Sequence, residues 1–282
     1  MEQNPTDSSS HLWDSPEAAA AWREGAAMRE RVFDIATTLM LTLAHVRRGG
    51  HVLDVAAGTG DQTLLAARHV GPTGSVLATD IAAEMLAVAA EAAKEAGLHN
   101  VSTQVVDAQC LDFPPDTFDA AISRFGIMFL PDVSGALARV LHALKSGGRC
   151  AAMVWGEPGS NPAYSLPLAI ARRHAGLPPE DLAQPGIFAL GDEGRLADVF
   201  VEAGFGEVQV HRAGLMFRAV SARAFVEWRM GTGPFKAAAA AMDEAGRERA
   251  RAEIIEALSR FDGPGGFFAP GEALVGVGTK GP

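Results

Sequence analysis

Polar and acidic side chains dominate the first dozen residues with no apolar spacing, so the stretch 1–12 reads as a disordered tail. From Trp13 to Val46 apolar residues recur at helical spacing, and Val32, Ile35, Ala36, Leu39 and Leu43 are predicted to share one buried face. Two helices are expected there, broken near Gly25, with a turn at Arg47-Arg48-Gly49-Gly50. Beyond the turn the pattern switches to short apolar runs separated by helical stretches. The runs are HVLDVA, SVLATD, VSTQVVD, FDAAIS and GRCAAMVW, and the helical stretches lie near 60–69, 82–96 and 133–145. In the second stretch Met85, Val88, Ala89, Ala92 and Ala96 keep one face, and Gly97 stands where a C-capping glycine ends a helix.

Strands alternating with helices imply right-handed crossovers and a parallel sheet covered on both faces. The predicted fold is therefore α/β, a doubly wound Rossmann-like sheet whose ligands bind beyond the carboxyl ends of the strands. Past Trp155 the pattern loosens: residues 156–190 are rich in proline and glycine, with one short helical piece. GDEGRLADVFVEAGF then predicts a helix and EVQVHRAGLMF a strand. SARAFVEWRM and KAAAAAMDEAGRERARAEIIEALSRF read as two inserted helices, and ALVGVG as a last strand. The expected organisation is a tail at 1–12, an N-terminal helical lid at 13–48, a nucleotide-binding core at 49–155 and an insertion at 156–190. The core resumes at 191–215, a helical cap occupies 216–268, and the final strand fills 269–282.

Composition narrows the function classes. Of 282 residues 48% are hydrophobic, enough to bury the core of one large domain. The net charge of -10, with no run of lysine or arginine, removes the counterion release that drives nucleic-acid binding, so no nucleic-acid partner is expected. The chain lacks both an apolar run of about eighteen residues and a basic-then-apolar start, which predicts a cytoplasmic protein without stable membrane insertion. Cys110 and Cys150 form neither a zinc pattern nor a disulfide framework, and no metal is expected.

The chemistry is concentrated where the runs end. In VLDVAAGTGD, Gly58 and Gly60 let backbone approach a ligand and turn into a helix whose N-terminus faces it. A dinucleotide fingerprint would continue to a third glycine, but Thr63 stands there, which weakens a pyrophosphate reading. Asp80, at the end of the second run, can accept from both ribose hydroxyls of an adenosyl group, or it can cap the helix starting near Ala82. At the end of the third, the Asp107 carboxylate can accept from an adenine amino group while the Ala108 N–H donates to a ring nitrogen. A turn role is the alternative.

The spacing Asp-x-Ala-x-Gly-x-Gly from Asp54 to Gly60, together with ATDIAAEML, DAQCLDFPPDTFDAAIS and LKSGG, is similar to the class I S-adenosylmethionine-dependent methyltransferases. Residues 50–155 resemble the core of the branch that holds quinone-biosynthesis C-methyltransferases and many natural-product methyltransferases. Ala56 stands at the first glycine of the family loop and is expected to keep ordinary backbone angles. The resemblance implies a seven-stranded sheet with an antiparallel last pair and S-adenosyl-L-methionine as cofactor. It places Asp80 and Ile81 at the ribose, and Asp107 and Ala108 at the adenine. The loop carrying Asp54, Ala56, Gly58, Thr59 and Gly60, with Ser123 or Arg124, falls at the methionine end. It also implies methyl transfer by in-line displacement to a small, largely apolar acceptor, quinol-like or secondary-metabolite-like, in which positioning supplies roughly 7–11 kcal/mol.

Two departures from the family pattern stand out. Ser146 replaces a proline before strand five, and Met128 and Phe129 occupy positions where some sugar O-methyltransferases carry catalytic histidines. No catalytic residue is identified. His142, His174 and His211 are conceivable bases, each better accounted for by a structural or surface role. Phe188, Met216, Phe217, Phe225, Trp228, Met230, Phe235, Phe267 and Phe268 supply the cap's core and some of the acceptor pocket, while Trp13 and Trp22 either pack on the sheet or close over the cofactor. Two alternatives stay open: an NAD-dependent oxidoreductase on a similar fold, and a non-catalytic S-adenosylmethionine-binding partner subunit. A homodimer formed by exchange of the amino-terminal helices is one arrangement the sequence allows.

Overall fold

The computed structural model describes residues 15–229 and 233–282; the expected tail, Trp13 and Met230 lie outside the described residues. Strands β1 (His51–Val55), β2 (Ser75–Asp80), β3 (Val101–Val105), β4 (Phe118–Arg124) and β5 (Leu144–Trp155) pair in parallel in the order 3-2-1-4-5. The order reverses at β1, so the crevice rule places a ligand site where β1 and β4 end. Beyond β5 lies β8 (Gly266–Thr279), antiparallel to it, and β6 (Gly206–Ala219) closes the edge antiparallel to β8. The expected seven-stranded sheet gains one short member, β7 (Asp262–Gly263), which folds back on the start of β8.

Strands buried on both faces carry near-continuous apolar runs, and Leu53, Ala120, Ile122, Ala151 and Met153 are fully buried here. Each large aliphatic side chain withdrawn from water contributes roughly 1.5–3 kcal/mol. The covering helices begin with α1 (Pro16–Glu24), α2 (Ala26–Leu43), α3 (Asp61–Val70) and α4 (Ala83–Glu95). They continue with α5 (Val133–Ala143), α6 (Pro162–His174) and α7 (Glu193–Glu202). Aspartates start two of these helices: Asp132 accepts from the Gly135 N–H at 2.8 Å, and Asp192 from the Arg195 N–H at 2.9 Å.

Two expectations about helices are corrected. The buried face of α2 carries Arg29, Phe33, Ala36, Thr37, Met40 and Leu41, whereas Ile35 is 84% exposed. Of the predicted face, Ala36 is buried and Val32, Leu39 and Leu43 pack partly buried against the core, so only Ile35 is misplaced; apolar spacing could not show Arg29 and Thr37, which are polar and find partners inside. The region between β6 and β7 holds three helices in place of two, α8 (Ala222–Arg229), α9 (Gly233–Ala240) and α10 (Glu244–Ser259). The restart has a local cause: Asp243 accepts from the Gly246 N–H at 2.6 Å, an N-cap inside a stretch whose composition is helical throughout. Helices α9 and α10 pack on α6, and α8 packs on α10 and β6. On the other side, Ala19 of α1 joins Ala82 and Met85 in a small cluster at the start of α4, with Trp22 against it.

Gly60 shows why one backbone position controls this arrangement. It precedes α3 at φ +83°, and a Cβ there would lie 2.8 Å from the Cβ of Ala89 and 3.3 Å from its Cα, on α4. Gly60→Ala is therefore expected to lower the unfolding free energy by about 1–3 kcal/mol. A urea titration checks this: the midpoint should fall with an unchanged slope, and an unshifted midpoint would refute the packing argument.

Candidate active site

One cavity of about 910 Å³ opens along the carboxyl edge of the sheet. Single-ligand pockets run from about 300 to 1,000 Å³, so there is room for a nucleoside and a second reactant. Its wall follows the strand order: Val106, Asp107 and Ala108 after β3, then Asp80 and Ile81 at β2, Ala56–Thr59 after β1, Arg124–Gly126 at β4, and Trp155 at the end of β5. Trp22, Arg29 and Phe33 of α1 and α2 close one side. Tyr164 of α6, the segment Ala183–Ile187, and Trp228 and Arg229 of α8 contribute to the far end.

Asp80 both caps and faces the cavity. Its Oδ1 accepts from the Ala82 N–H at 2.9 Å and its Oδ2 from the Gly58 N–H at 2.8 Å, so the glycine loop and the end of β2 are joined directly. Asp107 similarly accepts from the Gln109 N–H at 2.9 Å while lining the cavity. Asp54 and Gly60 do not line it. Asp54 is fully buried beneath the loop, where its carboxylate accepts from the Thr63 hydroxyl at 2.5 Å and the Gln62 amide at 3.1 Å. The same Gln62 amide donates to the Ala57 carbonyl at 3.2 Å, which ties the loop to β1 through one side chain. Burial pushes the Asp54 carboxyl up to about 7, against the pull of the Thr63 and Gln62 hydrogen bonds.

The expectation of ordinary backbone angles at Ala56 is overturned. Ala56 sits at φ +55°, and Phe125, just past β4, at φ +57°. Left-handed backbone at a residue with a Cβ costs on the order of 1–3 kcal/mol and persists where surrounding contacts impose it. Here the contact is Gly126, whose backbone passes so close that a Cβ on it would lie 2.5 Å from that of Ala56. The loop after β1 and the turn after β4 are thus locked together at the mouth of the crevice.

The sequence left Ser123 and Arg124 as alternatives. Consecutive strand residues point to opposite faces, and it is Arg124 that reaches the cavity. The Ser123 hydroxyl is buried away from it, with no hydrogen-bond partner among the described residues. Arg124 donates to Asp61 Oδ2 at 2.8 Å and to the Thr37 hydroxyl at 3.1 Å. Arg29, which sequence reasoning missed, donates to both oxygens of the same Asp61 carboxylate, at 2.7 and 3.1 Å, and to the Thr59 hydroxyl at 3.3 Å. Its guanidinium also bonds the Trp22 carbonyl and lies 4.6 Å from the centre of the Trp22 ring. Burial pushes the Asp61 carboxyl upward, but the two guanidinium groups outweigh it and hold the group below the usual carboxylate range. Beyond its place at the start of α3, then, Asp61 is the shared anion of a two-arginine cluster. A signal existed in the sequence, an arginine interrupting an otherwise apolar helical face, but it carried no partner.

The candidate bases stand elsewhere. His174 Nε2 lies 2.8 Å from Glu253 Oε2 between α6 and α10, His211 is on β6, and His142 is exposed on α5. None lines the cavity, and the described part of its wall contains no histidine. The apolar cap set is also redistributed: Phe217, Phe225, Phe235 and Phe267 are core, Phe188 is buried outside the cavity, and Met216 and Phe268 are half-exposed. Of that set only Trp228 lines the cavity among the described residues, and the other rings in the wall are Phe33, Phe125, Phe129, Trp155 and Tyr164, with Trp22 beside α4.

The model of the ubiE/COQ5 methyltransferase family matches residues 30–167. A ubiquinone/menaquinone biosynthesis C-methyltransferase of Pseudomonas aeruginosa is 40% identical over 122 residues, which cover 43% of this chain and 48% of that protein. The chain thus matches about half the length of this curated relative. In fold, the YcgJ protein of Bacillus subtilis superposes with a TM-score of 0.60 at 21% identity, covering 88% of this chain and 99% of that one. A SAM-dependent methyltransferase of Aquifex aeolicus gives 0.52 at 21% identity, covering 70% and 90%. In its matched core the chain is similar to the ubiE/COQ5 branch of the S-adenosylmethionine-dependent methyltransferases, and the solved structures share its fold. Within that class the similarity to the quinone C-methyltransferases is confined to the matched core.

Two substitutions test the loop. Ala56→Gly removes the left-handed penalty at the cost of a more flexible unfolded chain, so a net gain of about 1 kcal/mol is expected in calorimetry; a loss of stability would refute the strain. For Asp54, the raised folded pKa means its contribution is full below the ordinary value of 3.8 and is lost as pH rises toward about 7. Relative to Asp54→Asn, the wild type should lose on the order of 2 kcal/mol of unfolding free energy between pH 5 and 7. Parallel pH profiles of the two proteins would show that Asp54 is ionised in the fold throughout that range.

Proposed function

We propose that this chain transfers the methyl group of S-adenosyl-L-methionine to a small, largely apolar acceptor, quinol-like or secondary-metabolite-like, in the cytoplasm. The observation that carries the reading is the alignment of Asp107, Asp80, the bare Gly58 backbone and the Arg29–Asp61–Arg124 cluster in strand order along one cavity. In this reading Asp107 and Ala108 recognise adenine, and Asp80 with Ile81 the ribose. Ala56, Gly58 and Thr59 lie along the junction, Asp61 receives the methionine ammonium, and Arg124 with Arg29 its carboxylate. Asp54 and Gly60 act from beneath, by holding the loop in shape. Gly58 has open space where a Cβ would stand, which fits a ligand passing close to its backbone.

When bound, the cofactor supplies a sulfonium-activated methyl group. The residues of this chain orient the two reactants and exclude water, an effect that can supply roughly 7–11 kcal/mol of the barrier. A cavity wall with no histidine among the described residues suits an acceptor that ionises readily, such as a phenol or enol, better than an alcohol. The acceptor of the quinone methyltransferases does not carry over whole, because the family match ends at residue 167 and Ala183–Ile187, Trp228 and Arg229 complete the cavity beyond it. The net charge of -10 speaks against a nucleic-acid acceptor. None of the described helices is long and apolar enough to cross a membrane.

Asp80→Ala tests the reading. Affinity for S-adenosylhomocysteine, measured by isothermal titration, should fall at least about tenfold, the worth of one charge-assisted pair of hydrogen bonds. The variant should also lose about 1 kcal/mol of stability, since the Ala82 cap goes with the carboxylate. Unchanged affinity would overturn the ribose assignment.

A further inference from the structure

The chain has 14 phenylalanines and one tyrosine, Tyr164, so an aromatic hydroxyl is placed at a single position. That position is in the cavity wall, and the residue is 6% exposed. Buried tyrosine hydroxyls ordinarily find a hydrogen-bond partner, because an unpaired one has lost its water without replacement. The Tyr164 hydroxyl has no hydrogen-bond partner among the described residues, yet it is not one of the polar atoms that the interior seals off, as the Ser123 hydroxyl is. Its ring is held by neighbours: the Trp155 ring centre lies 4.3 Å away, that of Phe217 5.2 Å away, and the Arg229 guanidinium 3.7 Å from the centre of the ring itself. Its backbone is fixed as well. Tyr164 stands in the first turn of α6, where its N–H donates to the Asn161 carbonyl at 2.9 Å. The buried Asn161 amide in turn donates to the carbonyls of Gly156, Glu157 and Glu272 at 3.0–3.2 Å. A polar atom on so rigid a mount has its direction set before any ligand arrives. Trp155 also stacks on Phe125, with centres 4.5 Å apart and planes within 19°, so Tyr164 closes a row of rings that begins one residue past Arg124.

We propose that Tyr164 positions the acceptor: its hydroxyl donates a hydrogen bond to an oxygen on the edge of a flat acceptor ring that lies against the Phe125–Trp155–Tyr164 row. The proposal deepens the methyltransfer reading and rests on it. A wall for apolar packing alone is served by phenylalanine, the ring this chain uses everywhere else that it does not use tryptophan. A hydroxyl at 164 weakens the pocket for a wholly apolar ligand, because binding strips its water and returns nothing. A ligand oxygen makes good that loss. The hydroxyl thereby selects against the analogue that lacks the oxygen, which is how a polar group in an apolar pocket creates specificity. Rings packed face to face among themselves turn their edges outward, and aromatic edges prefer the face of another ring, which favours a flat acceptor over a branched one. The direction of the hydrogen bond follows from the proton. Burial pushes the Tyr164 phenol up, against the pull of the Arg229 and Arg29 guanidinium groups, so the hydroxyl keeps its proton at neutral pH and acts as a donor. A donor at that oxygen also favours an ionised acceptor, a phenolate or enolate, over the neutral parent that has released its proton to water.

The test uses the full chain with two flat probes of one shape, 2-naphthol and naphthalene, titrated by fluorescence with and without saturating S-adenosylhomocysteine. Tyr164→Phe should weaken naphthol binding on the order of fivefold, the worth of one net hydrogen bond, and leave naphthalene within about twofold of wild type. The variant should also bind S-adenosylhomocysteine within about twofold of wild type, since the hydroxyl it removes stands apart from the cofactor end. Because the chain has one tyrosine, labelling with 3-fluorotyrosine gives a single fluorine resonance that reports on Tyr164. Naphthol should move it further than naphthalene does, because both probes bring the same rings and only one brings an oxygen. That readout needs no variant, and it decides alone if Tyr164→Phe does not fold. A naphthol affinity untouched by the substitution, an equal loss for both probes, equal fluorine shifts or no naphthol binding would overturn the proposal. Failure of S-adenosylhomocysteine to bind the wild type would instead remove the methyltransfer reading, and the difference between the probes would still report on Tyr164.

Discussion

One carboxylate holds the site together. Asp61 begins α3 directly behind the glycine loop, and its two oxygens are shared between Arg29 of the amino-terminal helices and Arg124 at the end of β4. Three segments far apart in the chain therefore converge on one anion in a partly buried place, where removing one member leaves an uncompensated charge. Because Arg29 also bonds Thr59 and the Trp22 carbonyl, the position of α1 and α2 over the cavity is coupled to the shape of the loop. The cluster has two cations for one anion among its charged members. That imbalance favours a ligand with a carboxylate of its own.

A second constraint is steric. Ala56 and Phe125 both hold left-handed backbone, and Gly126, next to Phe125, packs on Ala56 with no space for a side chain. Strain of this kind needs a rigid frame to maintain it, and the frame is the switch in strand order between β1 and β4, whose register is fixed by their pairing. The buried Asp54 supplies the support from below through Thr63 and Gln62, so the cavity-facing backbone needs no bulky side chains to hold its path. A loop that must lie close to a ligand gains from support that comes from behind it.

Across the sheet the cavity then divides its labour by strand. Polar and acidic groups gather over β3, β2 and β1, and rings gather from the end of β4 onward, at Phe125, Trp155 and Tyr164. Both halves draw on the same stretch of chain, since Phe125, Trp155 and Tyr164 also lie within residues 30–167. The polar half lies mostly within residues 30–167, which match the family model, while the far end is completed by the segment around Pro185 and by α8.

Much of this was legible in the amino-acid order, because local rules govern it. Alternating runs with helical stretches, the glycine pair after the first run, and acids at the ends of the second and third runs specify a doubly wound sheet and mark its carboxyl edge. Long-range pairing was not legible. Nothing local distinguishes Arg29 from a solvated helix residue, or indicates that Asp61 would serve two arginines 32 and 63 positions away. Ala56 looked unstrained since its φ is imposed by Gly126, a neighbour in space alone. The aromatic wall was sought in the cap, where the rings are dense in sequence, but packing buried most of those, kept only Trp228 of the described ones at the cavity, and left Phe125, Trp155 and Tyr164 facing it. Periodicity and turn chemistry act over a few residues and so can be read from the chain itself; charge pairing, backbone strain and the choice of which ring meets a ligand depend on what tertiary folding brings alongside.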